Sequence, residues 1–165
     1  MLEEIISKTT EMYKTNRFVN INLNVLAAAA PAFIAAGIVS EIFSYAQYSK
    51  EAIAVAGLVA DMIVYFPLQG FLHYRVNREQ YLDEDEVNVK KVIKDFAHLY
   101  ATKIPAIAVM LPIAPILQYN LMDQGIGAGV ASQISYWGLT LVTRTIHSII
   151  GWRTGLFKTT KPSGL

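Results

Sequence analysis

Between Ala52 and Leu72 the only charged residue is Asp61, and Arg144 sits in the same isolation inside the fourth apolar run. An ionisable group at such depth in an apolar segment faces a bundle interior and marks a functional position. Counted from the outer ends of their segments, Asp61 is about nine residues in and Arg144 about fourteen, a depth difference of roughly 7 Å that a long arginine side chain spans. The two are expected to form an intramembrane charge pair, serving either as a lock between helices or as a working site. His73, His98 and His147 form a second set, each near the same end of its segment. Neutral imidazoles converging there could ligate copper, zinc or iron, although no HxxxH or HxxE spacing occurs on one helix, and isolated rim histidines are the other reading. Arg75, Arg78, Lys103 and Arg153 form a third set, expected to meet as a rim at headgroup level. There arginine can chelate phosphate oxygens bidentately and lysine can supply a mobile charge.

Other chemistries are excluded. The chain has no cysteine, which removes disulfides, thiolate metal sites and thiol nucleophiles. No serine lies in a GxSxG elbow, and the glycines at 125, 127 and 129 lack the Lys-Ser/Thr of a phosphate loop. Without a complete catalytic set, the chain is expected to be non-enzymatic and to need no cofactor.

The elements that position these residues follow from composition. Hydrophobic residues make up 53% of the 165 and charged residues 16%, below the roughly 25% charged of soluble domains. An all-α integral membrane protein is expected, with transmembrane helices at 23–45, 52–74, 96–119 and 130–152 in two tandem helical hairpins. Residues 1–20 read as an interfacial amphipathic helix, in which Leu2, Ile5, Ile6, Met12 and Tyr13 recur opposite Glu3, Glu4, Lys8 and Lys14. The first span is rich in alanine and glycine, which lets backbones approach closely. Residues 79–95 are acidic first (Asp83 to Glu86) and basic later (Lys90, Lys91, Lys94), the pattern of a short loop helix. Pro105, Pro112 and Pro115 should kink or locally unwind the third span. A polar tail, 153–165, closes the chain.

Charge then orients the molecule. Lys8, Lys14, Arg17, Arg75, Arg78, Lys90, Lys91, Lys94, Arg153, Lys158 and Lys161 all fall on one side of a four-span arrangement, and the opposite loops carry only Lys50. The positive-inside rule puts both termini and the middle loop in the cytoplasm of a plasma-membrane protein. A net charge of +1 offers no field for nucleic acid.

Each half opens on a basic residue and an aromatic, Arg17-Phe18 and Lys94-Asp95-Phe96, and closes on an aromatic and an arginine, Phe71 with Arg75 and Arg153 with Phe157. Over Arg17 to Phe157 this resembles the GtrA-like family of small four-span membrane proteins. The family's asparagine and tryptophan places are filled here by Tyr74 and Asn77, then by Trp152 and Gly155. The resemblance implies a role in moving polyprenyl-phosphate-linked sugar or in cell-surface polysaccharide assembly, with membrane lipids as partners. Two other classes compete. One is an accessory subunit of a larger respiratory or membrane-bound monooxygenase complex, bound to other membrane subunits or to itself. The other is a small transporter using Asp61, Arg144 and the proline-broken span as its midplane site.

Overall fold

A computed structural model describes residues 2–157, apart from the side chains of residues 2–5, 9 and 14. The tail lysines Lys158 and Lys161, and the face that Leu2 and Ile5 would give the first helix, lie outside the described residues. The order is α1 (Leu2–Thr15), α2 (Arg17–Tyr45), α3 (Lys50–Asn77), a 3₁₀ turn (Arg78–Tyr81), β1 (Leu82–Asp83), β2 (Glu86–Val87), α4 (Val89–Ala101), α5 (Ile104–Asp123) and α6 (Ala128–Thr154).

Local chemistry sets the boundaries. Asn16 ends α1 and caps α2, its side chain accepting from the Val19 amide at 3.2 Å. Ser49 and Asn88 cap α3 and α4 in the same way, accepting from Ala52 and Lys91. Each satisfies an amide that a helix start leaves without a partner. Gly155 stops α6 in the left-handed region (φ 76°), and the Leu156 amide turns back to the Gly151 carbonyl at 2.9 Å.

Three stretches are long and apolar enough to cross a membrane: Arg17–Tyr45, Lys50–Tyr81 and Ile104–Asp123. Their outward residues, among them Ile34, Ile38, Val59, Ile63 and Ile116, are exposed and apolar, while Asn24, Ser40, Asp61, Gln69 and Gln118 are buried. That polarity is inverted relative to a water-soluble protein and suits a hydrocarbon solvent. With 27 residues α6 matches them in length, but it spends its inner face on Ser132, Ser135, Tyr136 and His147.

In the bundle α2 packs on α3 and α6, and α5 packs on the same two helices. Small residues allow this. Ala28, Ala32 and Ala36 are fully buried, and a Cβ on Gly57 would collide with Ser40 of α2. At one end Ile53, Met122, Ala128 and Ala131 form an apolar cluster, with Lys50 paired to Asp123 at 2.8 Å. At the other, Ile21, Leu99, Leu156 and Phe157 close the start of α2, α4 and the end of α6.

Two expectations change. The acids at 83–86 do not begin a helix: Glu84 and Asp85 take positive φ (49° and 70°) and make the tight turn of a two-residue hairpin, Asp83 opposite Glu86. The expected third span at 96–119 is divided, because residues up to Ala101 belong to α4 and α5 begins at Ile104. Pro105 has no amide to continue the α4 ladder and suits the first turn of a new helix, and the Thr102 hydroxyl covers the Leu99 carbonyl at 2.8 Å. Pro112 and Pro115, by contrast, leave α5 helical throughout.

Candidate functional site

The break before Pro105 decides where Lys103 goes. With no helix to carry it outward, its side chain turns into the bundle, where it is 4% exposed and its amine donates to the Tyr65 hydroxyl at 2.9 Å and to Gln69 Oε1. Lys103 therefore leaves the expected rim. Arg75, Arg78 and Arg153 remain exposed at the surface.

Lys103 lies at the wall of a partly open cavity of about 80 Å³. The polar lining comes from Asp61 and Tyr65 of α3, Lys103, and Thr140, Thr143, Arg144 and His147 of α6. α2 contributes only apolar groups, Val25, Ala29 and Phe33, and α5 contributes Ala106, Ile107 and Met110. Asp61 and Arg144 thus share one cavity, as their sequence depths imply, yet no carboxylate–guanidinium contact within 4.0 Å joins them among the described residues. Asp61 is 3% exposed and its Oδ1 has no hydrogen-bond partner among the described residues; Arg144 Nη1, Gln69 Nε2 and the Tyr136 hydroxyl are likewise buried without one. Such atoms each cost about 1–3 kcal/mol unless a ligand or water meets them. The cavity therefore offers an arginine donor, a hydrogen-bonded amine and one carboxylate to whatever occupies it.

Phe66 is shared between this cavity and an outer aromatic groove lined by Pro67, Gly70, Phe71, Tyr74, Phe96 and Tyr100. The Tyr100 hydroxyl holds the Phe66 carbonyl at 3.0 Å, and a Cβ on Gly70 would crowd that hydroxyl.

The three histidines do not converge. His73 Nε2 donates to Asp95 Oδ2 at 2.7 Å, while Asn77 donates to its Nδ1 and fixes that tautomer. His147 Nε2 lies 3.3 Å from Thr102 Oγ1, whose own hydrogen goes to Leu99. His98 stands half-buried on α4. No group of three or more metal-ligating side chains occurs among the described residues.

Asp95 was not singled out in the sequence. It accepts from Arg17, from His73 and from the Tyr81 hydroxyl at 2.6 Å, tying the start of α2 and the end of α3 to α4. Burial pushes its carboxyl up, but the hydrogen bonds from His73 and Tyr81 and the Arg17 charge outweigh this and hold it well below the usual carboxylate range. A further signal was present in the sequence: Gly57, Asp61, Tyr65, Gln69, His73 and Asn77 recur at every fourth position of α3, the spacing of one helical ridge.

No protein-family model matches the chain, and no match was found among curated proteins or solved structures.

Proposed function

We propose that this chain is a non-enzymatic, GtrA-like plasma-membrane protein that holds the phosphate of a polyprenyl-linked sugar while it is moved or assembled. In this reading α6 crosses with the other three long helices as the fourth span of two tandem hairpins, and both termini and the hairpin-bearing loop are cytoplasmic. One observation carries it: Lys103 and Arg144 line a cavity in which Asp61 is the single acid among the described residues, with apolar side chains of α2, α3 and α5 around them. A phosphate there would meet the Arg144 donor that lacks a protein partner, in surroundings where charge-assisted hydrogen bonds are strong. The outer aromatic groove across Phe66 would take the prenyl chain, and the exposed Arg75, Arg78 and Arg153 would gather anionic headgroups. Small-residue packing gives the competing subunit reading no support, since Ala28, Ala32 and Ala36 are used inside this bundle.

Native mass spectrometry of the protein with a defined prenyl-phosphate lipid tests the reading. Arg144→Gln should lower lipid occupancy about tenfold or more, the scale of one lost charged hydrogen bond. Arg75→Gln and Arg153→Gln should weaken binding less and in a salt-sensitive way. Unchanged occupancy in all three variants, with loss of co-purifying chains, would overturn it in favour of an accessory subunit.

A further inference from the structure

The ridge of α3 that carries Asp61 continues to the charged end of the molecule. Its members Asp61, Tyr65, Gln69, His73 and Asn77 lie one above another at four-residue steps, about 6 Å of rise each. A ridge of this kind winds around its helix. This explains why Gly57 at its far end meets α2 and the Gln118 side chain of α5 while His73 meets α4. Asp61, Gln69, His73 and Asn77 are buried and Tyr65 is half-buried, and the row is cross-linked where Lys103 bridges Tyr65 and Gln69 and where His73 donates to Asp95. Asp95 is itself partly exposed, at 15%. Every rung is a hydrogen-bonding group, and three have buried polar atoms without a partner among the described residues, Asp61 Oδ1, Gln69 Nε2 and Asn77 Oδ1. A rise of about 6 Å is the span of two hydrogen bonds through one water, and polar sites of this kind hold such waters.

We infer that this row is a proton path, along which Asp61 takes up and releases a proton to the solution at the Asp95 end of the bundle. On uptake an O–H bond forms at Asp61 Oδ1, the carboxylate becomes a neutral acid, and the solution loses one proton; nothing is oxidised or reduced. The groups facing Asp61 are Tyr65 on its own helix, Lys103 from the α4–α5 link, and Tyr136, Arg144 and His147 from α6. Those facing it from α2 and α5 are apolar. Proton uptake thus neutralises the only acid among the described residues that line the cavity, so an anion there is held more tightly as pH falls. That consequence rests on the phosphate-binding reading; the path does not.

Infrared difference spectroscopy of the purified full chain in lipid nanodiscs tests it. The Asp61 carboxyl band is isolated by subtracting the spectrum of Asp61→Asn. It should grow as pH is lowered and shift in D₂O within the mixing time, and Gln69→Leu should slow that isotope shift about tenfold or more, a barrier rise of one decade in rate. Should Gln69→Leu fail to fold, Tyr65→Phe interrupts the neighbouring rung and should slow the shift similarly. A band that never titrates, or one that exchanges as fast in the folded variant as in the parent, would overturn the inference. Lipid occupancy measured on the same samples separates the two proposals. A titrating band without bound lipid sinks only the phosphate reading, and bound lipid without a titrating band sinks only the path.

Discussion

Two aspartates in this chain live under opposite conditions. Asp95 receives donors from Arg17, His73 and Tyr81, whereas Asp61 keeps an oxygen with no partner at 3% exposure. Removing them should therefore move stability in opposite directions. Asp95→Asn leaves the Arg17 charge buried beside an amide and should cost about 3 kcal/mol. Asp61→Asn relieves a buried carboxylate and should raise stability by about 1–2 kcal/mol, the sign seen where a site is kept for function. Thermal unfolding in mild detergent reads both, and a fall for Asp61→Asn would reveal a partner the bundle does not show. The Asp95 effect also has a pH window. Its carboxyl is lowered from an ordinary value of 3.8, so its contribution is fully present above that pH and is lost as pH falls below it toward the folded value. Asp95→Asn should remove that part of the acid-side decline while lowering stability at neutral pH.

At the scale of elements, the last turn of α6 does more than end a helix. Leu156 and Phe157 fold back onto Ile21 and Leu99, and Phe157 packs edge-on against Phe18. This closure depends on Gly155 at φ 76° and on Gly151, where a Cβ would strike the Phe157 ring. Leu156→Ala should cost about 2–5 kcal/mol as a buried leucine truncated in a packed cluster. Because Leu99 belongs to α4, hydrogen exchange in residues 89–101 should quicken in this variant while the Ile53–Met122 cluster at the far end stays protected. Uniformly faster exchange at both ends would show that the clusters are not separable.

For the whole molecule, the distribution of polarity makes a topological prediction. Apolar residues face outward along α2, α3 and α5 while polar ones are buried, and Lys50 with Asp123 marks the end opposite Arg17 and Asp95. Since the chain has no cysteine, single cysteines can be introduced without background. Those at Ser49 and Gln124 should react with an impermeant reagent applied outside intact cells, and one at Asn88 should react only after lysis. The reverse pattern would invert the orientation, and labelling of all three from one side would rule out a bundle that crosses the membrane.

Much of this architecture was legible in one dimension because it depends on local sequence. Apolar runs mark the long helices, Asn16, Ser49 and Asn88 cap helix starts where side-chain acceptors are needed, and the depth of Asp61 and Arg144 follows from counting residues along a helix. The polar ridge of α3 is legible as well, in its four-residue spacing. What a count along the axis cannot supply is azimuth, the direction around a helix in which a side chain points once neighbours pack against it. Hence Asp61 and Arg144 reach one cavity without pairing, and His73 and His147, near one end, go to different partners. Lys103, placed at the rim by its sequence neighbours, is drawn inside by a helix break that aims it at Tyr65 and Gln69. The Asp95 junction joins residues as much as 78 positions apart in the chain, and only the packed bundle brings their side chains within hydrogen-bonding distance.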